Sequence, residues 1–173
     1  MKTKVQFLDL GKQPITNNFL IKKNPKNEFF YNLKLIFHKS SKLVSLAKFI
    51  PPKKMFNEKY AHRASASKTM SLAYSKLAKS IKNRFKPKSI LEIGSNDGVF
   101  IKHFKKIKNL GVEPCKNLAK ITNQAGVKTY DEFWTKKIAK KIVSQNGKVD
   151  VIYSANTICH IHNLNETFKA IDY

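Results

Sequence analysis

Residues 90–100, Ile-Leu-Glu-Ile-Gly-Ser-Asn-Asp-Gly-Val-Phe, constrain the fold of this chain more than any other segment. They predict a short buried strand, a turn bracketed by Gly94 and Gly98, and the start of a helix. Glycine permits the tight turn and lets a ligand approach bare main-chain N–H groups. A second predicted strand, 110–113, ends in Glu113, where α/β nucleotide-binding proteins hold ribose hydroxyls. The pattern therefore predicts a ligand site at the edge of a parallel sheet.

The charges around this turn indicate the kind of ligand. The dinucleotide fingerprint is G-x-G-x-x-G, whereas this turn has Gly94 and Gly98 with Glu92 before it and Asp97 inside it. Two carboxylates would repel a pyrophosphate, but they suit a cation with an amino-acid end. S-adenosylmethionine (SAM) carries a sulfonium, an ammonium and a ribose, so we predict a SAM site. The alternative is a glycine turn of another α/β protein, in which Asp97 only caps the next helix.

Composition restricts the class of partner. The chain of 173 residues has a formal net charge of +23, and of its 34 lysines and arginines only Arg63 and Arg84 are arginine. Specific recognition of phosphates and bases relies on arginine forks, and the lysines here are scattered along the chain. We therefore attribute the high positive charge to a lysine-rich proteome and expect no specific nucleic-acid partner. Non-specific affinity for nucleic acid through charge stays open.

Cysteine usage and hydropathy indicate the compartment. The two cysteines, Cys115 and Cys159, are too few for a zinc site or a disulfide framework and suit a reducing environment. No apolar run follows the charged first residues, and no window approaches the length of a membrane span. We expect a soluble cytoplasmic protein without a membrane partner.

The chain divides into a small N-terminal module with its linker, 1–68, and an α/β domain, 69–173. In the module, 33–37 and 43–46 are predicted strands joined by a polar turn. From 69 to 85, apolar residues recur at helical spacing up to the break at Pro87. Strands at 90–93, 110–113, 127–130 and 149–154 then alternate with helices after Gly98, at 117–125 and at 135–144. This order predicts a parallel, doubly wound sheet.

The residues that follow the last predicted strand, 155–162, are candidates for chemistry. In doubly wound sheets, ligands bind beyond the carboxyl ends of the strands. Asn156 is expected to touch the methionine end of SAM, and His160 to face the transferred methyl as a general base. The alternative for His160 is a capping or core-edge histidine. No Asn/Asp-Pro-Pro-aromatic turn occurs here, which counts against methylation of the exocyclic amines of nucleic-acid bases.

Further motifs occur in the same order as in a known family. They are Leu10-Gly11-Lys12-Gln13-Pro14 with Asn18-Phe19, Phe56-Asn57-Glu58-Lys59-Tyr60 with Ser65 and Met70, Leu91-Glu92-Ile93-Gly94-Ser95-Asn96-Asp97-Gly98, Gly111-Val112-Glu113-Pro114, and Ala155-Asn156 with His160-Ile161. In these residues the chain resembles the SAM-dependent sugar C-methyltransferases that act on nucleotide-linked 4-keto-hexoses. The resemblance covers most of the chain.

This resemblance implies a Rossmann-like SAM domain and methyl transfer to a sugar carbon. A base removes the proton α to the ketone, and the enolate carbon takes the methyl. By motif position, Gly94 to Gly98 hold the methionine end, Glu113 holds the ribose, and Asp131 reaches the adenine. Tyr60 falls in a linker that lines the sugar side. The candidate cofactor-binding residues are thus Glu92, Gly94, Ser95, Asn96, Asp97, Gly98, Glu113, Asp131 and Asn156, and the candidate catalytic residues are His160 and Tyr60.

The chain departs from the family in three ways. The family's N-terminal zinc module has two CxxC pairs, but none precedes Val5, and His38-Lys39-Ser40-Ser41 replaces the second, so we expect no zinc. The aromatic expected two places after Tyr60 is His62. The family also continues past the fourth strand with further strands and a C-terminal domain. We therefore expect a fragment with an incomplete sheet, whose missing half a separate chain could supply.

Other functions stay open on the sequence alone. The first is a SAM methyltransferase of another small molecule. The second is a non-catalytic remnant, which the absent zinc cysteines would favour. The third is a basic nucleic-acid-binding protein, which would lose affinity steeply with added salt.

Overall fold

A computed structural model of the protein describes residues 3–20 and 28–173. The chain divides into two compact units, one up to Met55 and one from Phe56 to Tyr173. The boundary expected from the sequence lies between residues 68 and 69. In the structure the linker 56–68 groups with the second unit. Within the described ranges, no helix combines the length and apolar content needed to cross a membrane.

The first unit is a three-stranded antiparallel sheet in the order β1-β2-β3. Its elements are β1 (Lys4–Pro14), β2 (Phe30–His38), β3 (Val44–Leu46) and a short helix α1 (Pro52–Met55). The predicted strands at 33–37 and 43–46 are confirmed, but β1 was not predicted. It is exposed along almost its whole length, and its register with β2 shifts twice. Its apolar and polar residues alternate up to Phe7, where Leu8 follows directly at the first register shift. Such an irregularity interrupts the alternation that reveals strands in a sequence.

The second unit contains a four-stranded parallel sheet. Its strands are β4 (Ser89–Ile93), β5 (Lys108–Val112), β6 (Lys128–Tyr130) and β7 (Val151–Ser154), and its helices are α2 (Lys68–Phe85), α3 (Lys116–Gln124), α4 (Lys136–Asn146) and α5 (Leu164–Asp172). The strand order is β6-β5-β4-β7. The predicted α/β fold with a parallel sheet is confirmed. Because β4 and β5 are the central strands, the turn after β4 and the end of β5 lie side by side.

Strand β4 is buried at every position and contributes to a core on each face of the sheet. Leu91 and Ile93 pack in one core with Ile138 of α4. Ile90 packs in the other with Phe100 and with Ile81 of α2. A parallel strand that is covered on both faces favours apolar residues, which explains Ile90, Leu91 and Ile93, and the buried Glu92 is the exception among them.

The helix predicted after Gly98 is wrong in kind, because only a short 3₁₀ helix forms at Ile101–Phe104. The connection back to the start of β5 is limited to residues 99–107. A five-residue strand spans about 16 Å, and an α-helix rises about 1.5 Å per residue against about 2.0 Å in a 3₁₀ helix. The tighter helix spans the sheet with fewer residues, while Ile101 and Phe104 still reach the core.

Candidate functional site

The turn after β4 needs glycine for its backbone and for its packing. Gly94 and Gly98 adopt left-handed φ angles of +74° and +77°. A Cβ on Gly94 would lie 2.1 Å from Oγ1 of Thr157, and one on Gly98 would lie 2.9 Å from Cγ2 of Thr122. Any larger residue would therefore be strained and would also collide with a neighbouring threonine. Thr157 was not singled out in the sequence, since nothing in its local pattern marks a contact with β4.

The turn does not present bare N–H groups, contrary to the expectation from the sequence. The N–H groups of Gly94 and Ser95 both donate to the carbonyl of Val112, at 2.7 and 3.2 Å. The N–H of Asn96 donates to Oε2 of Glu113 at 2.8 Å, and that of Gly98 donates to the carbonyl of Ser95. A phosphate-binding loop needs such groups free and pointing at the ligand. The first three donors are instead used by the end of β5, and that of Gly98 closes the turn on itself.

Three carboxylates are buried around the turn: Glu92, Asp97 and Glu113 are only 4%, 8% and 5% exposed. Burial raises the pKa of Glu92 well above its ordinary value, and the charges of Glu113 and Asp97 raise it further. Burial likewise raises the pKa of Glu113, against the lowering effect of hydrogen bonds from the main chain of Cys115 and Asn96. Within the described ranges, no Lys, Arg or His side chain is buried beside these carboxyl groups, so a cationic ligand would stabilise their ionised forms.

Glu113 is rigidly held at the end of β5. Its Oε1 accepts from the N–H of Cys115 and its Oε2 from the N–H of Asn96, both at 2.8 Å. Its own N–H donates to the carbonyl of Tyr130 at the end of β6. The thiol of Cys115 also hydrogen-bonds this carboxylate, and a remaining lone pair could accept from a ribose hydroxyl. Asp131 follows β6 directly and is exposed to solvent.

Asp97 lies at the turn as predicted, and its carboxylate is hydrogen-bonded to the linker that precedes α2. Its carboxylate accepts from both the N–H and the hydroxyl of Ser65. The neighbouring Asn96 accepts from the N–H of Ala64 at 2.9 Å. The linker that enters α2 is thus attached to the turn through side chains. Ser65 was noted in the sequence only as a motif position, and this contact was not expected.

Phe56 brings the two candidate catalytic residues together. Its ring centroid lies 5.5 Å from that of Tyr60 and 5.6 Å from that of His160, in tilted and edge-on arrangements. His62, which replaces an expected aromatic, lies edge-on to Tyr60 at 6.4 Å. His160 is exposed at the end of a 3₁₀ helix, Ile158–His160. Asn156 precedes that helix with a left-handed φ of +52° and is exposed.

Some buried polar atoms near the turn have no partner within the described part of the chain. They are Oε2 of Glu92, Oγ of Ser95 and Oδ1 of Asn117. Buried polar atoms are nearly always hydrogen-bonded, so these atoms call for a ligand or a water molecule. Asn117 lies in the first turn of α3 and was not recognised in the sequence. Together the orphaned atoms and the buried carboxylates fit a polar, cationic ligand.

The described residues of the first unit contain no group of side chains that could bind a metal ion. Over residues 3–20 and 28–173, no group of three or more His, Cys, Asp or Glu is arranged to hold a metal ion. At the position of the expected second cysteine pair, Nε2 of His38 instead hydrogen-bonds Oγ of Ser45 at 2.8 Å, which joins β2 to β3. No cysteine precedes Cys115 in the sequence. These residues do not fit a tetrahedral zinc ion.

Family models match almost the whole chain. One, described as a methyltransferase domain, matches residues 60–172, and a second, described as a zinc binding domain, matches residues 1–56. The C-methyltransferase NovU of Streptomyces niveus is 27% identical over 84 residues, which are 47% of this chain and 20% of NovU. The match thus spans only about a fifth of that relative's length.

Two solved structures show distant similarity. A SAM-dependent methyltransferase from Thermotoga maritima, described as a possible histamine N-methyltransferase, is 23% identical with a TM-score of 0.44, over 57% of this chain and 44% of its own. The plantazolicin methyltransferase BpumL, solved with a desmethylPZN analog and S-adenosylhomocysteine (SAH), is 18% identical with a TM-score of 0.46, over 58% and 40%. These similarities are too distant to support an argument about this site.

The matched methyltransferase model includes Tyr60, the glycine turn, Glu113 and His160, while Phe56 is the last residue of the other match. That model accounts for well over half of the sequence. The chain therefore belongs to the methyltransferase-domain family.

Proposed function

We propose that this protein is a SAM-dependent methyltransferase that methylates a carbon of a nucleotide-linked keto-deoxysugar. The observation that carries the cofactor assignment is the electrostatics of the turn. Three of its N–H groups are bonded to Val112 and Glu113 and that of Gly98 to Ser95, so these four are not free to hold a phosphate. Its buried carboxyl groups and the orphaned Oε2 of Glu92 suit an ammonium and a sulfonium instead.

The residues of the turn would hold the cofactor. Thr157 and Thr122 pack against Gly94 and Gly98, which keeps the turn narrow, and the orphaned Oγ of Ser95 is a buried polar group within it. A remaining lone pair of Glu113 would accept from a ribose hydroxyl. When bound, SAM supplies an electrophilic methyl group on a cationic sulfur.

The aromatic group built on Phe56 would hold the acceptor. His160 would take the proton from the carbon α to the ketone, and the resulting enolate carbon would form the new bond to the methyl. The methyl would leave its sulfur as that bond forms, with the electron pair of the broken carbon–sulfur bond passing to sulfur. Because His160 is exposed, solvent can then remove the proton from its ring. Tyr60, whose ring also contacts Phe56, would orient the sugar.

Support for a sugar acceptor comes from the motifs in residues 10–19, 56–70 and 155–161 and from the similarity to NovU.

We also propose that a further strand-forming segment, in the rest of the protein or in a partner chain, pairs with β7. The side chains of β7 are only half-buried, whereas those of β4 are buried throughout. Beside β7 lies a cavity of about 190 Å³, lined by Trp134, Ile142 and Ile152 among others.

Calorimetric titration of SAH into the purified chain tests the cofactor assignment. We expect micromolar binding that Glu113→Ala abolishes and that the partly exposed control Glu132→Gln leaves unchanged. Circular dichroism of each variant verifies folding. A folded chain without affinity for SAH would refute the assignment. Transfer of a labelled methyl from SAM to nucleotide-linked 4-keto-6-deoxyhexoses then tests the acceptor, with other keto acids as the competing class.

A further inference from the structure

Asn96 is an unusually well-connected residue at the centre of the glycine turn. Its backbone is left-handed, with φ of +49°, a conformation that asparagine tolerates better than most residues. Its N–H donates to Oε2 of Glu113 at 2.8 Å, and its carbonyl accepts from Oγ1 of Thr122 at 3.1 Å. The main chain of Asn96 is therefore fixed by the tip of β5 and by α3.

The side chain of Asn96 makes a second set of bonds, in a different direction. Its Oδ1 accepts from the N–H of Ala64 at 2.9 Å, and its Nδ2 donates to the carbonyl of His62 at 3.3 Å. Both partners belong to residues 60–66, which we call the acceptor-side segment because it starts at Tyr60. One residue thus contacts both the carboxylate assigned to the ribose and the segment assigned to the sugar.

Two further side chains hold the acceptor-side segment. Asp97 accepts from the N–H and the hydroxyl of Ser65, and Nδ2 of Asn117 donates to the carbonyl of Tyr60 at 2.9 Å. These bonds attach the segment at either end, while Asn96 holds its middle. Asn96 alone among these side chains is also bonded through its own N–H to Glu113.

We propose that Asn96 is a positioning residue that couples the cofactor site to the acceptor site. The inference rests on the proposed function and extends it. A ribose bound by Glu113 restricts the motion of the carboxylate and, through the hydrogen bond to its N–H, the motion of Asn96. The side chain of Asn96 then holds Ala64 and His62 more firmly. By linkage, ordering of the acceptor-side segment must strengthen cofactor binding by the same factor.

The variant Asn96→Gly separates the two sets of bonds. Glycine adopts the left-handed backbone without strain and keeps the N–H to Glu113, so only the side-chain bonds are lost. Hydrogen exchange of the Ala64 amide, measured by NMR in the full chain without ligand, should accelerate about tenfold, the loss expected for one hydrogen bond. The Ser65 amide, which is bonded to Asp97, should change much less. Equal exchange of Ala64 in both proteins would overturn the proposal.

Two more variants complete the test. Asn96→Asp keeps an acceptor for the N–H of Ala64 and should restore slow exchange there. Asn17→Gly is the matched control, because Asn17 also has a left-handed backbone, with φ of +66°, but lies in the first unit. It should leave exchange at Ala64 and affinity for SAH unchanged.

Addition of SAH tests the coupling itself. Saturating SAH should slow exchange of Ala64 in the wild type by about fivefold or more, within the usual range of coupling. Asn96→Gly should still bind SAH, with an affinity lower by the same factor. In this variant SAH should not slow hydrogen exchange of the Ala64 amide. Binding of SAH to the wild type with no effect on Ala64 would overturn the coupling and leave the proposed function intact. A folded wild type that does not bind SAH would overturn both, whatever the ligand-free exchange rates show.

Discussion

Gly94 and Gly126 show how the same backbone conformation can carry different constraints. Both are left-handed, with φ of +74° and +85°, but a Cβ would meet Thr157 only at Gly94 and finds nothing within 4 Å at Gly126. We expect Gly94→Ala to lower the free energy of unfolding by about 1–3 kcal/mol more than Gly126→Ala, because overpacking adds to the backbone strain. Urea unfolding of both variants measures this difference. Equal losses would mean that Thr157 does not pack on Gly94.

At Glu92, burial predicts a pH dependence with a definite sign. Its pKa is raised in the folded protein, so its contribution to stability is complete below the unfolded value of 4.5 and is lost as pH rises through the folded value. Replacing Glu92 by Gln removes this titration. We expect Glu92→Gln to be more stable than the wild type at about pH 8 by about 1 kcal/mol or more, and the gap to close towards about pH 5.

Unfolding in urea at several pH values checks this prediction. The control is Glu132→Gln, which removes a carboxyl from a partly exposed surface pair with Lys141 and should not show the gain at about pH 8 that is expected for Glu92→Gln. A profile for Glu92→Gln parallel to that of the wild type would show that the buried carboxyl does not titrate differently in the folded and unfolded states.

At the scale of elements, the end of α2 carries a strain that the sequence does not reveal. Lys86 follows the helix in a left-handed conformation, with φ of +44°, and its N–H donates to the carbonyl of Lys82. Glycine is the usual residue at this position, since it has no Cβ to clash. We expect Lys86→Gly to raise the free energy of unfolding by about 1 kcal/mol. Lys86→Ala removes the same charge but keeps the Cβ, so a similar gain in both variants would contradict the explanation.

The elements also show why some predictions from sequence succeed. Helices α3 and α4 lie within one residue or two of their predicted ranges, because each has a buried apolar face and leaves a clear period. The 3₁₀ helix at Ile101–Phe104 has buried apolar residues too, but its length is set by the distance that the chain must span beside β4. Local periodicity contains no information about that distance.

At the scale of the whole molecule, charge is the dominant feature. The net charge is +23, and Glu92, Asp97 and Glu113 are buried away from the surface. Two ion pairs occur within the described ranges, Lys34 with Asp9 and Lys141 with Glu132, and both are exposed. Exposed pairs contribute little to stability, so repulsion between lysines should destabilise the folded state.

We therefore expect added salt to stabilise the protein. Raising sodium chloride from about 0.02 to about 0.2 M shortens the screening length from roughly 20 Å to below 10 Å. The free energy of unfolding should rise by on the order of 1 kcal/mol, equivalent to about 2–4 °C in Tm for a chain of this size. Calorimetry at the two salt concentrations measures the shift. A lower Tm at high salt would show that attractive rather than repulsive charge interactions dominate.

By itself the sequence determined the parallel α/β order, the glycine turn and the acidic end of β5. These depend on local hydrophobic periods and on backbone conformations that favour particular residue types, as the left-handed turn favours glycine. The tertiary structure alone decided what those residues touch. The N–H groups of the turn are taken by β5, Asp97 holds Ser65, and Thr157 packs on Gly94. Such contacts join residues far apart in the chain, and their partners are selected by how the strand ends come together in space, which no local pattern encodes.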